Sequence, residues 1–281
     1  MRRESSVSRP AWAVALSGNG ANRKSPVEVF ATAASVVTRS QYAEISGLRA
    51  GKFGRWTDGV AAMRQDCVEF SAYWQAHNER VVRKRAQEEE PGPLWVALGD
   101  STAQGLGAPG PQGGYVGQAL QQLRRSTGQH WRVLNLSVSG ALIRDVLADQ
   151  IPLLPQAPAL VTCGIGANDI LYSAPAKLFS DMRSLLGTVP DNTVVLDLPL
   201  PAGFWGLVGR MSVPYITRIN RVIHEVAGQR KLPVARVSAH FTAPWSGKFS
   251  CDSFHPSQDG YRDWTRALLA VLPAAPAASA A

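Results

Sequence analysis

From Leu94 onward the sequence alternates short apolar segments with amphipathic ones, and this order restricts the fold more than any other feature. Such alternation is typical of a parallel sheet with helices on both faces, joined by right-handed crossovers. The predicted strands are Leu94–Leu98, Trp131–Leu136, Ala159–Cys163, Thr193–Leu198 and Pro233–Val237. The predicted helices are Tyr115–Leu123, Ile143–Leu154, Lys177–Leu186, Tyr215–Ala227 and Ser257–Leu272. We therefore expect an α/β domain with a central parallel five-stranded sheet.

An amphipathic helix is predicted upstream of this domain, over residues 60–88. Its apolar residues recur at steps of three and four, and Pro91-Gly92-Pro93 ends it. They are Val60, Met63, Cys67, Phe70, Trp74, His77 and Val81. We expect this face to pack on the domain. Alternatively, the 60–81 helix forms an interface with a partner or with a second copy of the chain. His77 is expected to be a buried or half-buried structural histidine.

The remaining segments set the expected domain boundaries. Residues 1–58 are predicted to be a poorly ordered or irregular extension, with one short helix at Val27–Val37. Residues 59–92 hold the amphipathic helix and a linker, residues 93–273 the α/β domain, and residues 274–281 a disordered tail rich in Pro, Ala and Ser. The apolar stretch Pro201–Gly209 is expected to be a loop that lines a pocket, acts as a lid or packs between helices.

Composition excludes several classes of function. The net charge of +8 is spread evenly, with 14 basic and 10 acidic residues in 1–90 and 15 and 11 in 91–281, so no nucleic-acid partner is expected. The three cysteines, Cys67, Cys163 and Cys251, form no C-x-x-C motif, which argues against a disulfide framework or zinc site. No apolar stretch reaches the ~18–20 residues of a membrane span. We expect a cytoplasmic protein, with secretion left open.

Chemically distinctive residues follow several predicted strands. Ser101 follows the first strand, Gly140 the second and Asn168 the third, while Asp252 and His255 follow the fifth. The carboxyl ends of parallel strands meet at one edge, where ligands bind in open α/β sheets. Residues distant in sequence are therefore expected to form a single site.

The residue types suit nucleophilic catalysis by a serine. Ser101 needs a base within hydrogen-bond reach, the imidazole of His255 can take that proton and return it, and Asp252 is close enough in sequence to orient the imidazole. A developing oxyanion needs preorganised donors. The candidates are the backbone N–H groups of Ser101 and Gly140 and the side-chain amide of Asn168. Each motif alone has a structural explanation, as a turn or a helix cap, whereas together and in this order they favour catalysis.

These residues resemble the four diagnostic blocks of the SGNH (GDSL-type) hydrolase family. The blocks are Gly99-Asp100-Ser101, Gly140, Gly166-Ala167-Asn168-Asp169 and Asp252-Ser253-Phe254-His255-Pro256, and the resemblance covers residues 94–272. It implies a three-layer α/β/α flavodoxin-like fold, here preceded by an N-terminal helical extension. It also implies hydrolysis of a small-molecule ester or thioester through an acyl-enzyme, without cofactor or metal.

The resemblance also implies a role for each residue. Ser101 would be the nucleophile, His255 the base and Asp252 its orienting acid, with Ser101, Gly140 and Asn168 forming the oxyanion hole. Two alternatives remain: a non-catalytic domain of this fold that binds an acylated or carbohydrate ligand, and an acyltransferase.

Competing motifs fit less well. Gly105–Gly110 matches G-x-G-x-x-G but contains Pro109 and lacks the acidic residue that follows about 20 positions later in dinucleotide-binding folds, so we expect a loop near the site. Gly99–Ala103 approximates the α/β-hydrolase elbow, but only two residues separate Asp252 from His255, which favours the SGNH arrangement.

The other titratable residues of this domain are expected to be structural. Asp100 and Asp169 lack the further ligands that a metal site needs, so we expect them to hold loops by hydrogen bonds. His130, His224 and His240 are assigned surface or structural roles, with His240 retained as a possible substrate contact.

Overall fold

Five parallel strands form one sheet in the order β2-β1-β3-β4-β5. The strands are β1 (Leu94–Gly99), β2 (Arg132–Asn135), β3 (Leu160–Gly164), β4 (Thr193–Leu196) and β5 (Val234–Ala235). The structure is a computed structural model, and it describes residues 57–87, 92–200, 206–252 and 254–272. This strand order is that of flavodoxin-like folds, and it confirms the predicted fold class.

Helices cover both faces of the sheet. They are α1 (Thr57–Ala86), α2 (Ser101–Gln104), α3 (Tyr115–Thr127), α4 (Ile143–Asp145), α5 (Ala167–Tyr172), α6 (Pro175–Thr188), α7 (Gly206–Arg230), α8 (Val237–His240) and α9 (Gln258–Leu269). Successive side chains of a strand point to opposite faces. Val96 and Leu98 of β1 accordingly join the core beneath α6 and α7, while Trp95 and Ala97 join the core beneath α3 and α9.

Helix α1 packs against β2, which lies at one edge of the sheet. The Asn78 amide donates to the carbonyl of Asn135 at 2.7 Å, and its oxygen accepts from the Asn135 N–H at 2.9 Å. His77 Nε2 lies 3.0 Å from the Val133 carbonyl oxygen, so this nitrogen carries the proton. These contacts occupy main-chain groups that an edge strand otherwise leaves open to other chains.

The apolar face of α1 is buried where the structure describes it, as at Phe70 and Trp74, and His77 is half-buried. Burial is the main cause that lowers the pKa of His77, which favours its neutral form. This agrees with the structural role expected for that histidine.

Most predicted elements differ from the structure by a few residues at their ends, and three of the differences follow. Strand β5 has two residues, because Val237 already begins α8. The helix expected over Ile143–Leu154 starts as α4, widens to a π-helix at Val146–Gln150 and ends in a 3₁₀ turn at Ile151–Leu153. Pro152 explains this change, since it has no N–H to continue an α-helical ladder. Residues 206–209, expected in a loop, are the start of α7.

Other expectations fall outside the described residues. These are the Val27–Val37 helix, the irregular extension apart from its last two residues, residues 201–205 of the apolar loop, and the 274–281 tail. Among the helices that the structure describes, none has both the length and the apolarity needed to cross a bilayer.

Candidate active site

A sharp turn at the end of β1 brings Ser101 to the carboxyl edge of the sheet. Gly99 has φ +149°, and a Cβ there would lie 2.4 Å from the carbonyl oxygen of Gly164 on β3, so the close strand approach requires glycine. Asp100 then caps α2, its Oδ1 accepting from the Thr102 N–H at 2.9 Å and from the Thr102 hydroxyl at 2.8 Å. Burial raises the pKa of Asp100, and the Thr102 bonds oppose that shift. Asp100 therefore holds the turn, as expected.

Ser101, His255 and Asp252 form a continuous hydrogen-bonded chain. Ser101 Oγ lies 2.8 Å from His255 Nε2, and His255 Nδ1 lies 2.5 Å from Asp252 Oδ2. All three residues are buried, with 5%, 9% and 8% of their surfaces exposed in that order. The structure thus brings together residues that are 154 positions apart, in the geometry that proton transfer from serine to histidine requires.

The carboxylate of Asp252 is held by several donors. Its Oδ1 accepts from the N–H groups of Phe254 and His255, both at 2.9 Å, and from the Ser250 hydroxyl at 2.6 Å. Burial alone would raise the pKa of Asp252, but these bonds and the His255 ring lower it to about 2. The carboxylate is therefore ionised at neutral pH and favours the tautomer with the proton on Nδ1, which leaves Nε2 free to accept.

The glycine-rich loop after α2 packs against the loop that carries His255. Gly107 has φ +91°, and a Cβ there would lie 2.4 Å from the Pro256 carbonyl oxygen and 2.9 Å from His255 Cβ. Tyr261 of α9 donates to the Leu106 carbonyl at 2.6 Å. Gly107 of this G-x-G-x-x-G match thus allows close packing beside His255, where the sequence predicted a loop.

The three expected oxyanion donors come from the ends of β1, β2 and β3. The N–H of Ser101 belongs to the first residue of α2, where an N–H has no partner within the helix. Gly140 is half-buried and has φ +79°. Asn168 is the second residue of α5, and its amide donates to the Ala141 carbonyl at 3.0 Å, which leaves a second N–H on the same nitrogen.

Asp169 fixes α5 to the loop that follows β2. Its Oδ2 accepts from the Ile143 N–H at 3.1 Å and its Oδ1 from the Ser173 hydroxyl at 3.2 Å. Burial raises the pKa of Asp169 to about 6 despite these two bonds. Like Asp100, it holds loops by hydrogen bonds, as the sequence led us to expect.

A cavity of about 130 Å³ is lined by the sequence neighbours of Ser101 and His255, although neither of these two residues lines it. Its wall includes Asp100 and Thr102, which flank Ser101, and Phe254 and Pro256, which flank His255. Most of the remaining lining is apolar: Ile165, Ala167, Ile170, Leu196, Leu198, Pro199, Leu200, Ile216, Phe241, Phe249 and Trp264. An apolar cavity of this kind suits the hydrocarbon part of a small molecule.

Sequence reasoning missed two buried glutamines near Ser101. The Gln150 amide donates to the Gly99 carbonyl and accepts from the Gly99 N–H, both at 2.8 Å. Gln104, the last residue of α2, is 2% exposed and bonds to two other elements. The sequence feature that could have indicated Gln150 is its place in a helical segment interrupted by Pro152. No sequence feature indicates a role for Gln104.

Two histidines outside the triad have structural partners. His224 Nε2 lies 3.1 Å from Oδ2 of buried Asp197. His240 is half-buried, and its Nδ1 lies 3.0 Å from the Arg236 carbonyl oxygen. Neither histidine lines the cavity.

Comparisons with known proteins find a family and solved structures that this chain resembles. Residues 97–262 match the GDSL-like lipase/acylhydrolase family, which leaves α1 outside the match. The crystal structure of TesA is 27% identical and covers 64% of this chain and 97% of its own, with a TM-score of 0.52. A comparison with curated protein sequences finds no match.

Two further solved structures share the fold. The lipase Lip_vut3 from a goat rumen metagenome is 20% identical over 64% of this chain and 97% of its own, with a TM-score of 0.55. Axe2, an acetylxylan esterase from Geobacillus stearothermophilus, is 22% identical over 67% and 98%, with a TM-score of 0.52.

Proposed function

The chain belongs to the GDSL-like lipase/acylhydrolase family and is a carboxylic ester hydrolase, and we propose that it is a serine esterase acting on small or medium esters through an acyl-enzyme. The observation that carries this proposal is the Ser101–His255–Asp252 chain, with 2.8 Å between Ser101 Oγ and His255 Nε2. A serine oxygen this close to an imidazole nitrogen has the base that it needs for attack.

In the first half of the reaction, His255 Nε2 accepts the Ser101 proton while Oγ forms a bond to the ester carbonyl carbon. The carbonyl oxygen becomes an oxyanion, which accepts hydrogen bonds from the N–H groups of Ser101 and Gly140 and from the Asn168 amide. As the bond between carbon and the leaving oxygen breaks, His255 returns its proton to that oxygen, and the free alcohol departs.

The second half repeats these steps with water. His255 Nε2 takes one water proton, the hydroxide oxygen bonds to the acyl carbon, and the same donors hold the oxyanion. The bond to Ser101 Oγ then breaks, the proton moves from His255 to Oγ, and the carboxylic acid leaves. Asp252 stays ionised in both halves, because its pKa of about 2 is far below neutral pH, and it stabilises the imidazolium form of His255.

The apolar cavity supports an acyl group of limited size. Asp100 and Thr102, the two neighbours of Ser101 in sequence, line it, and so do Leu198 after β4 and Ile216 of α7. A hydrocarbon chain gains free energy when it leaves water for such surroundings. We therefore place the acyl chain in this cavity and the alcohol portion of the ester outside it.

Replacement of Ser101 tests this function. The Ser101→Ala variant should lose at least about 10³-fold in kcat on p-nitrophenyl acetate and butyrate, since it lacks the nucleophile while the fold persists. Circular dichroism should match the wild type. The control is Ser126→Ala, which alters an exposed serine on α3 and should keep full activity. Wild-type rates in Ser101→Ala would reject the proposal.

A further inference from the structure

Helix α1 lies outside the family match, yet two of its side chains bond to the last residue of the helix that carries Ser101. We propose that α1 belongs to the active site: through Gln104 it fixes Ser101 relative to the loop that carries Gly140. Gln104 is then a positioning residue, and α1 is its support. This inference rests on the proposed serine esterase function.

Gln104 connects the nucleophile helix to the loop that follows β2. Its Nε2 donates to the Ser137 carbonyl at 2.9 Å, and its Oε1 accepts from the Ser139 hydroxyl at 2.5 Å. Ser139 directly precedes Gly140, and Ser101 begins the short helix that Gln104 ends. The two backbone donors proposed for the oxyanion hole are therefore joined through one buried side chain. A small error in their separation would weaken bonds to the oxyanion, because these bonds depend steeply on distance and angle.

Helix α1 supplies further bonds to the same residue. The indole Nε1 of Trp74 donates to the Gln104 carbonyl oxygen at 2.9 Å, and the Ser71 hydroxyl donates to Gln104 Oε1 at 3.3 Å. Trp74 is only 3% exposed, so water does not compete for its bond. Helix α1 thus bonds to both the main chain and the side chain of Gln104.

The next turn of α1 offers a matched control. His77 also donates one ring N–H to a main-chain carbonyl, that of Val133, at 3.0 Å compared with 2.9 Å for Trp74. Val133 lies within β2 and contributes no group to the proposed site. Trp74→Phe and His77→Phe each remove one such donor and keep an aromatic ring. The two variants therefore separate a role in positioning from a role in holding α1 on the domain.

The experiment compares Trp74→Phe, Ser71→Ala, Gln104→Met and His77→Phe in the full chain. Each is assayed for kcat and KM on p-nitrophenyl butyrate, for inhibition by butylboronic acid and for thermal unfolding. A boronate bonded to Ser101 mimics the tetrahedral intermediate and uses the same donors. We expect kcat to fall about tenfold in Gln104→Met and about threefold in Trp74→Phe, with KM little changed and boronate affinity reduced in proportion.

His77→Phe should lower the unfolding temperature about as much as Trp74→Phe while kcat and boronate affinity stay at wild-type values. The inference is wrong if these two variants lose equal activity, or if neither loses any. If Gln104→Met does not fold, Trp74→Phe and Ser71→Ala decide the question. Wild-type activity in Ser101→Ala would reject the esterase mechanism itself, whereas an inactive Ser101→Ala beside fully active Gln104→Met and Trp74→Phe would reject only the role of α1.

Discussion

The two sides of Ser101 are built differently. On the polar side, formed by α1, Gln104 and loop 137–141, directional hydrogen bonds join every element to the next. On the apolar side, the cavity wall holds hydrocarbon side chains such as Ile170 and Leu198. Hydrogen bonds lose strength with small changes of distance and angle, whereas apolar contacts are non-directional. The polar side is therefore suited to fixing the reacting atoms, and the apolar side to accepting acyl groups of several shapes.

The largest effects should come from the triad, which lies between the two sides. His255→Ala should lower kcat by at least about 10³-fold, and the double variant Ser101→Ala/His255→Ala should be hardly slower than either single variant, because the two residues act as a unit. Rates on p-nitrophenyl butyrate measure this. Losses that multiply in the double variant would show that the residues act independently.

Asn168 adjoins the polar side, because its amide donates to the Ala141 carbonyl of loop 137–141. Asn168→Ala should lower kcat about 10²- to 10³-fold with little change in KM, since the amide meets the oxyanion only as the reaction proceeds. Steady-state kinetics measure the split between kcat and KM. The control is Asn192→Ala, which removes an amide that donates to the Pro158 carbonyl near the amino ends of β3 and β4. Asn192→Ala should keep its activity. A rise in KM at constant kcat in Asn168→Ala would instead assign that amide to ground-state binding.

Two carboxylates of the site should respond to pH in opposite directions. The pKa of Asp169 is about 6 when folded and 3.8 in the reference state, so its proton is held more tightly in the folded chain. This proton stabilises the folded state by at most about 3 kcal/mol. The stabilisation is fully present below pH 3.8 and is lost as the pH rises through 6. The pKa of Asp252 is lowered to about 2, so its contribution is lost only as the pH falls from 3.8 through 2.

Asp169→Asn removes the contribution of Asp169 to this pH dependence. Urea unfolding at pH 4 and pH 7 should show the wild type losing stability relative to the variant as the pH rises. Identical changes in the two proteins would contradict the role of burial at Asp169.

An effect smaller than that of Asn168→Ala should arise on the apolar side. Ile170→Phe adds volume to the cavity wall, so kcat/KM on p-nitrophenyl octanoate should fall about tenfold relative to acetate. A series of esters from acetate to octanoate measures the shift. Polar-side variants should slow the hydrolysis of all esters by a common factor. If Ile170→Phe also slows all esters by a common factor, the two sides do not have different roles.

Sequence patterns were sufficient where one local segment determines the structure. The apolar runs of β1 and β3 are buried on both faces, as parallel strands are, and therefore stand out from the helical segments. Asp252 and His255 sit three positions apart in one loop, so their contact needed no knowledge of distant elements. The pattern of α1 predicted its buried face for the same reason.

The support around Ser101 depends on contacts that no local pattern records. Trp74 and Gln104 are 30 positions apart, and Gly99 and Gln150 are 51 apart. A glutamine in an amphipathic segment looks the same whether it faces solvent or bonds to a strand end. Only the packing of the helices on the sheet decides between these, which is why the polar side was the least predictable part of the site.

The most direct test of the account is covalent labelling by an alkyl fluorophosphonate, which requires an activated serine. Intact-mass spectrometry should show one adduct on the wild-type chain, and peptide mapping should place it on Ser101. His255→Ala should be labelled at least about 10²-fold more slowly, because it lacks the base. Labelling of another residue, or equal rates in the wild type and His255→Ala, would contradict the claim that His255 activates Ser101.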